Sequence, residues 1–135
     1  MRTRIIMIVT AFALSSLLTS ARKSDEIITR EGQTVIVNTT ELGKNIIGYE
    51  TATPVKIYIQ SGKVVKVEAL PNGETPKYFA RVKRGILTAW DGKSINKAEK
   101  LKVDAVTGAT YSSESVIQNV KLGLQYYKKN GKKIK

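Results

Sequence analysis

Two runs, Val55 to Gln60 and Lys63 to Ala69, flank Ser61-Gly62, and together they constrain the fold more than any other part of the chain. Short runs rich in β-branched residues on either side of a two-residue glycine turn predict a β-hairpin, with Val55, Ile57 and Ile59 on one face and Val65, Val67 and Ala69 on another. Thr34 to Asn38 alternates apolar and polar residues as a third, half-buried strand, after a polar stretch. Pro71-Asn72-Gly73 reads as a turn. Thr75 then caps a helix with Pro76 at its first position, Tyr78, Phe79, Val82 and Ile86 forming the buried stripe while Arg81, Lys83 and Arg84 face water. Trp90-Asp91-Gly92-Lys93 ends that helix, and a connection through Ile95, Ala98, Leu101 and Val103, with room for a further strand, follows. Val116, Ile117, Val120 and Leu124 recur at helical spacing, which predicts a last helix with a serine N-cap running to about Tyr127. The fold class expected is α+β, a small antiparallel sheet with two helices packed on it, in a single domain without internal repeats.

The chain has 135 residues, 41% of them hydrophobic, enough for one core and too few for two. Residues 1–21 stand outside it. Arg2 and Arg4, the apolar run Ile5 to Leu18 and the small residues Thr19-Ser20-Ala21 read as a secretory signal peptide, with cleavage favoured over anchoring because the run is short for a membrane span. The expected division is therefore a signal at 1–21, a domain at 22–127 and a basic tail at 128–135, in an exported protein of the periplasm or the cell exterior. Cysteine and histidine are both missing from the chain. Thiol chemistry, iron-sulfur clusters, histidine-bound haem or zinc and histidine acid-base catalysis lack their residues, so a redox role would need an organic cofactor.

The formal charge is +12, and loss of Arg2 and Arg4 with the signal lowers it to +10. Lys128, Lys129, Lys132, Lys133 and Lys135 carry half of that in the tail, which is expected to fray past Asn130-Gly131. Export argues against nucleic acid, and no aromatic residue alternates with the tail lysines to stack bases. Steering toward an acidic redox partner and plain solubility both fit such a charge run.

The stretch Asp104-Ala105-Val106-Thr107-Gly108-Ala109-Thr110 carries the chemistry. Gly108 can take positive φ and Ala109 adds only a methyl group, so the hydroxyl of Thr110 stands where bulk is low. It falls just before the expected helix start, where unpaired N–H groups and the positive dipole end favour a phosphate held one turn upstream. Asp104 would repel that anion and is read as a turn-former or as a contact for a modifying enzyme.

These residues resemble the flavinylation motif of FMN-binding domains such as the C subunit of sodium-translocating NADH:quinone reductase and the G subunit of Rnf electron-transport complexes. The similarity extends from about Asn45 to Tyr127, through Ile47-Gly48-Tyr49, the Gly62-Lys63 hairpin and Glu74-Thr75-Pro76. It departs from those subunits at Lys77-Tyr78-Phe79, where they usually continue Gly-Leu-Gly, and in the expected loss of the membrane segment. The resemblance implies FMN joined by a phosphoester to Thr110. It implies further cofactor contacts from Thr107, Gly108, Ala109, Asp104, Tyr111, Ser112 and Ser113, and no metal ligands. It also implies maturation by an exported ApbE-type flavin transferase that uses FAD and magnesium, and electron exchange with redox partner proteins, including membrane-bound ones. The function expected is electron carriage rather than turnover of a substrate. The alternatives are a secreted flavin-dependent reductase of a small acceptor and a non-redox binding module of the same fold. Tyr49, Tyr78, Trp90 and Tyr111 could each face the flavin ring, with core packing the default for Tyr78 and Trp90 and Tyr111 the one to test.

Overall fold

Ser61 and Gly62 both take positive φ, 52° and 72°, which matches the type I′ hairpin turn. The computed structural model describes residues 26–131, so the expected signal at 1–21 and the last four residues lie outside the described part. Four antiparallel strands run in sequence order across one sheet, β1 (Ile28–Glu31), β2 (Thr34–Asn38), β3 (Val55–Gln60) and β4 (Lys63–Ala69). Three helices follow, α1 (Pro76–Gly85), α2 (Ile95–Lys100) and α3 (Thr110–Asn130). The α+β class expected from the sequence is the class observed, with one strand and one helix more than anticipated among the described residues.

The inward face of β3 is the anticipated one, Val55, Ile57 and Ile59, all buried. That of β4 is not. The pairing steps from Tyr58 opposite Lys66 to Ile59 opposite Val64, leaving Val65 as the extra residue of a β-bulge. The bulge brings Val64 and Val67, three positions apart, to the same buried face and turns Val65 outward, which strict alternation cannot do. The missed strand β1 is short and half of it is charged. It pairs as an edge through Ile28 opposite Val37 and contributes Ile28 to the core.

On the helical side, α1 starts after Thr75 as expected, although the Thr75 side chain makes no capping bond. It ends at Gly85, where Val106 packs against the helix end, rather than continuing to Trp90. Trp90, 2% exposed, is a core residue as the default reading had it. Ser94 accepts a hydrogen bond from Lys97 N at 3.4 Å and caps α2, so the first part of the connection left open for a strand is helical, and Leu101 to Ala109 forms no strand. The 21-residue α3 begins at Thr110 with Ala109 in the cap position, not a serine. Ser112 and Ser113 are buried inside its first turn. The helix also continues to Asn130, so Lys128 and Lys129 belong to it rather than to a tail, and Lys128 pairs with Glu99 at 2.7 Å. Val116, Val120 and Leu124 form its fully buried stripe against β2 and β3.

Candidate functional site

Polar contacts set the placement of α3 along the sheet. Asn119 lies on the buried face of the helix, where its Oδ1 accepts the Thr39 hydroxyl at 2.7 Å and its Nδ2 donates to Ser115 O at 2.9 Å. Thr39 Oγ1 in turn accepts from Val55 N at 2.9 Å, and the hydroxyls of Thr53 and Ser115 are hydrogen-bonded. These bonds tie the helix to the long connection between β2 and β3. A buried polar group without such a partner would cost on the order of 1–3 kcal/mol.

The same connection closes over the start of α3 through Glu74. Its Oε1 accepts from Tyr49 N at 2.7 Å and from the Ser112 hydroxyl at 2.6 Å, while Oε2 accepts from Glu50 N at 2.6 Å and Thr51 N at 3.0 Å. Gly48 is required for this approach, since a Cβ there would stand 2.2 Å from Glu74 Oε1. Burial, to 5% exposure, pushes the carboxyl pKa up, but the bonds from Ser112, Thr51, Tyr49 and Glu50 outweigh it and hold the group below the usual carboxylate range. Three segments distant in sequence, 48–51, 74–76 and 110–113, are thereby locked together.

The lock frames a cavity of about 540 Å³ lined by Tyr49, Thr75, Tyr78, Gly108, Ala109, Thr110, Tyr111 and Ser112. Tyr49 and Tyr111 are 67% and 65% exposed, with ring centroids 6.4 Å apart and planes inclined by 30°. Tyr78, expected in the core, is 42% exposed and faces this space, because only Phe79, Val82 and Ile86 of the anticipated stripe turn inward.

Ser113 organises the loop beneath. Its hydroxyl accepts from Val106 N at 3.0 Å and donates to Ala109 O at 2.7 Å, and Ala109 N donates to Val106 O at 2.9 Å. With both serines engaged, the exposed hydroxyl of Thr110 is the one that opens the helix. Thr110 is itself the first helical residue, so an anion on it would sit at the N–H groups of that turn and not a full turn upstream.

The sequence-predicted residues thus divide. Gly108, Ala109, Thr110, Tyr111 and Ser112 line the cavity. Ser113 lies beneath the loop, and Thr107 is exposed outside the lining. Asp104 falls in a separate depression with Trp90, Ile117 and Lys121, away from the hydroxyl it was grouped with. The structure adds Glu74, known from the sequence only as part of a matching triplet, and Asn119, whose polar side chain in an otherwise apolar stripe was the available signal.

An aromatic-rimmed cradle of this volume, with a hydroxyl at a helix start, defines a site for a planar ligand bearing an anionic group, within the usual size range of small-molecule sites. The chain matches the FMN-binding domain family over residues 48–125, more than half of its length, and it belongs to that family. The match begins at Gly48 and so includes every residue of the Glu74 lock. No curated protein matches the chain.

Proposed function

We propose that this protein is an exported electron carrier holding FMN in phosphoester linkage to Thr110, in the manner of the redox-complex subunits its motif resembles. The observation that carries the reading is the placement of Thr110, exposed at the start of α3 and lining the cavity framed by Tyr49, Tyr78 and Tyr111. FMN supplies reversible electron uptake. The chain's part is to hold it: Thr110 by the ester, the first turn of α3 by its N–H groups and the tyrosines by flat apolar contact.

Attachment by a flavin transferase is chemically balanced. Thr110 Oγ bonds to the phosphorus of the FMN half of FAD, the pyrophosphate bond breaks, AMP leaves, and the hydroxyl proton passes to the transferase. The leader at 1–21 supports attachment outside the cytoplasm, where a dissociable FMN would be lost by dilution. The lysine surplus supports a partner with an acidic face.

The test is expression with an exported flavin transferase followed by peptide mass analysis. Wild type gains one FMN less one water on the peptide containing Thr110, and Thr110→Ala stays colourless. Flavin retained covalently by Thr110→Ala, or found on Thr107, Ser112 or Ser113, would overturn the assignment.

A further inference from the structure

Arg81 was expected only to face water, and it is exposed. Its position is more particular than that. A methyl group placed on Gly108 would stand 3.0 Å from Arg81 Nη1, and the guanidinium carbon lies 6.0 Å from the centroid of the Tyr78 ring. The cation therefore sits between two residues that line the cavity, beside the glycine two positions before Thr110. It also has no ion-pair partner among the described residues, where the ion pairs are Lys44 with Glu41 and Lys128 with Glu99. Lys83, two positions on, lines a different depression with Leu70 and Ala80.

We propose that Arg81 is the positioning residue for the flavin phosphate, its guanidinium pairing with the phosphoryl oxygens while and after the ester to Thr110 forms. This rests on the attachment reading above. A planar fork of N–H donors matches two phosphoryl oxygens at once, which a lysine ammonium cannot do. The positive φ of Gly108, 84°, carries the loop past Arg81 without a side chain in the way. The occupant implied is a singly charged phosphodiester.

The experiment follows flavin transfer onto the full chain in the presence of flavin transferase and FAD, for wild type, Arg81→Gln, Arg81→Lys and Lys83→Gln. Arg81→Gln should cut the initial rate about tenfold with an unchanged thermal midpoint. Arg81→Lys should recover part of the rate, and Lys83→Gln, the same change in net charge, should match wild type. In fully loaded protein the phosphorus resonance should shift in Arg81→Gln and not in Lys83→Gln. Equal rates and equal resonances in wild type and Arg81→Gln would overturn the role of Arg81 alone, as would an equal loss in Lys83→Gln. A wild type that takes no flavin would overturn the attachment reading and this inference with it.

Discussion

Ser112 Oγ lies 2.6 Å from Glu74 Oε1, a bond between residues 38 positions apart that joins the first turn of α3 to the residue preceding Thr75-Pro76. The hydroxyl donates along one edge of a carboxylate whose remaining capacity is taken by three consecutive backbone N–H groups. The cavity exists because these segments are held at this spacing, so Glu74 supports the site without lining it.

Glu74→Gln keeps the shape but replaces one acceptor oxygen with a donor, facing an N–H donor at close range. Loss of charge-assisted bonds at a buried site should cost about 2 kcal/mol, or on the order of 10 °C in thermal midpoint for a domain this size. The pH dependence has a definite sign. The folded-state pKa is depressed below the ordinary glutamate value of 4.5, so the stabilisation is fully present above that value and is lost as pH falls through the lower folded value. Chemical denaturation from pH 7 to pH 3 should show wild type losing more stability than Glu74→Gln at the acid end. Parallel curves would mean that the carboxylate charge does not matter.

Gly108→Val tests access to Thr110. At φ 84° a β-branched side chain is strained and its first carbon meets Arg81. Gly108 itself is exposed, so the domain should fold at a cost of about 1–3 kcal/mol, while flavin attachment measured by mass falls at least tenfold. Normal attachment to folded Gly108→Val protein would count against the steric account.

Much of the frame was legible because it is local. Three strands and two helices follow from side-chain periodicity and from turn residues such as Ser61-Gly62 and Thr75-Pro76. What escaped is non-local. The bulge at Val65 depends on how β4 meets β3, and the edge strand β1 is defined by its partner more than by its own charged residues. The serines after Thr110 looked like caps because capping is the commonest use of such residues. Only the tertiary partner Glu74 of Ser112, and the bond of Ser113 back to Ala109 O, show them to be buried ties. Tyr78 was misjudged for a similar reason: helical spacing places it beside the core, but the cavity beside it leaves it open.

Tyr111 and Trp90 should respond in opposite ways to truncation. Trp90 is fully packed, and Trp90→Ala should cost about 3–5 kcal/mol whether or not flavin is present. Tyr111 is exposed at the cavity rim, so Tyr111→Ala should change thermal stability by less than about 0.5 kcal/mol. In loaded protein it should nonetheless shift the flavin absorption bands and raise flavin fluorescence, because an aromatic neighbour has been removed. An unaltered flavin spectrum in Tyr111→Ala would place the ring elsewhere.

The basic surface is the remaining handle on partners, and beside the lysines expected in the tail the structure shows a second cluster. Lys128 is held by Glu99, whereas Lys93, Lys97, Lys100 and Lys102 line one groove with Asn96 and Leu101 and no acidic residue. If an acidic redox protein is steered to this protein, the double change Lys97→Glu and Lys100→Glu should slow association at low salt more than deletion of residues 132–135. Both differences should shrink once the Debye length falls to about 3 Å near 1 M salt. Flavin content should not change, since this groove shares no lining residue with the cavity. The measurement is stopped-flow reduction of the loaded protein by its partner at low and high ionic strength. Equal low-salt rates for wild type and the double variant would remove the groove from the encounter and leave the lysines with solubility as their role.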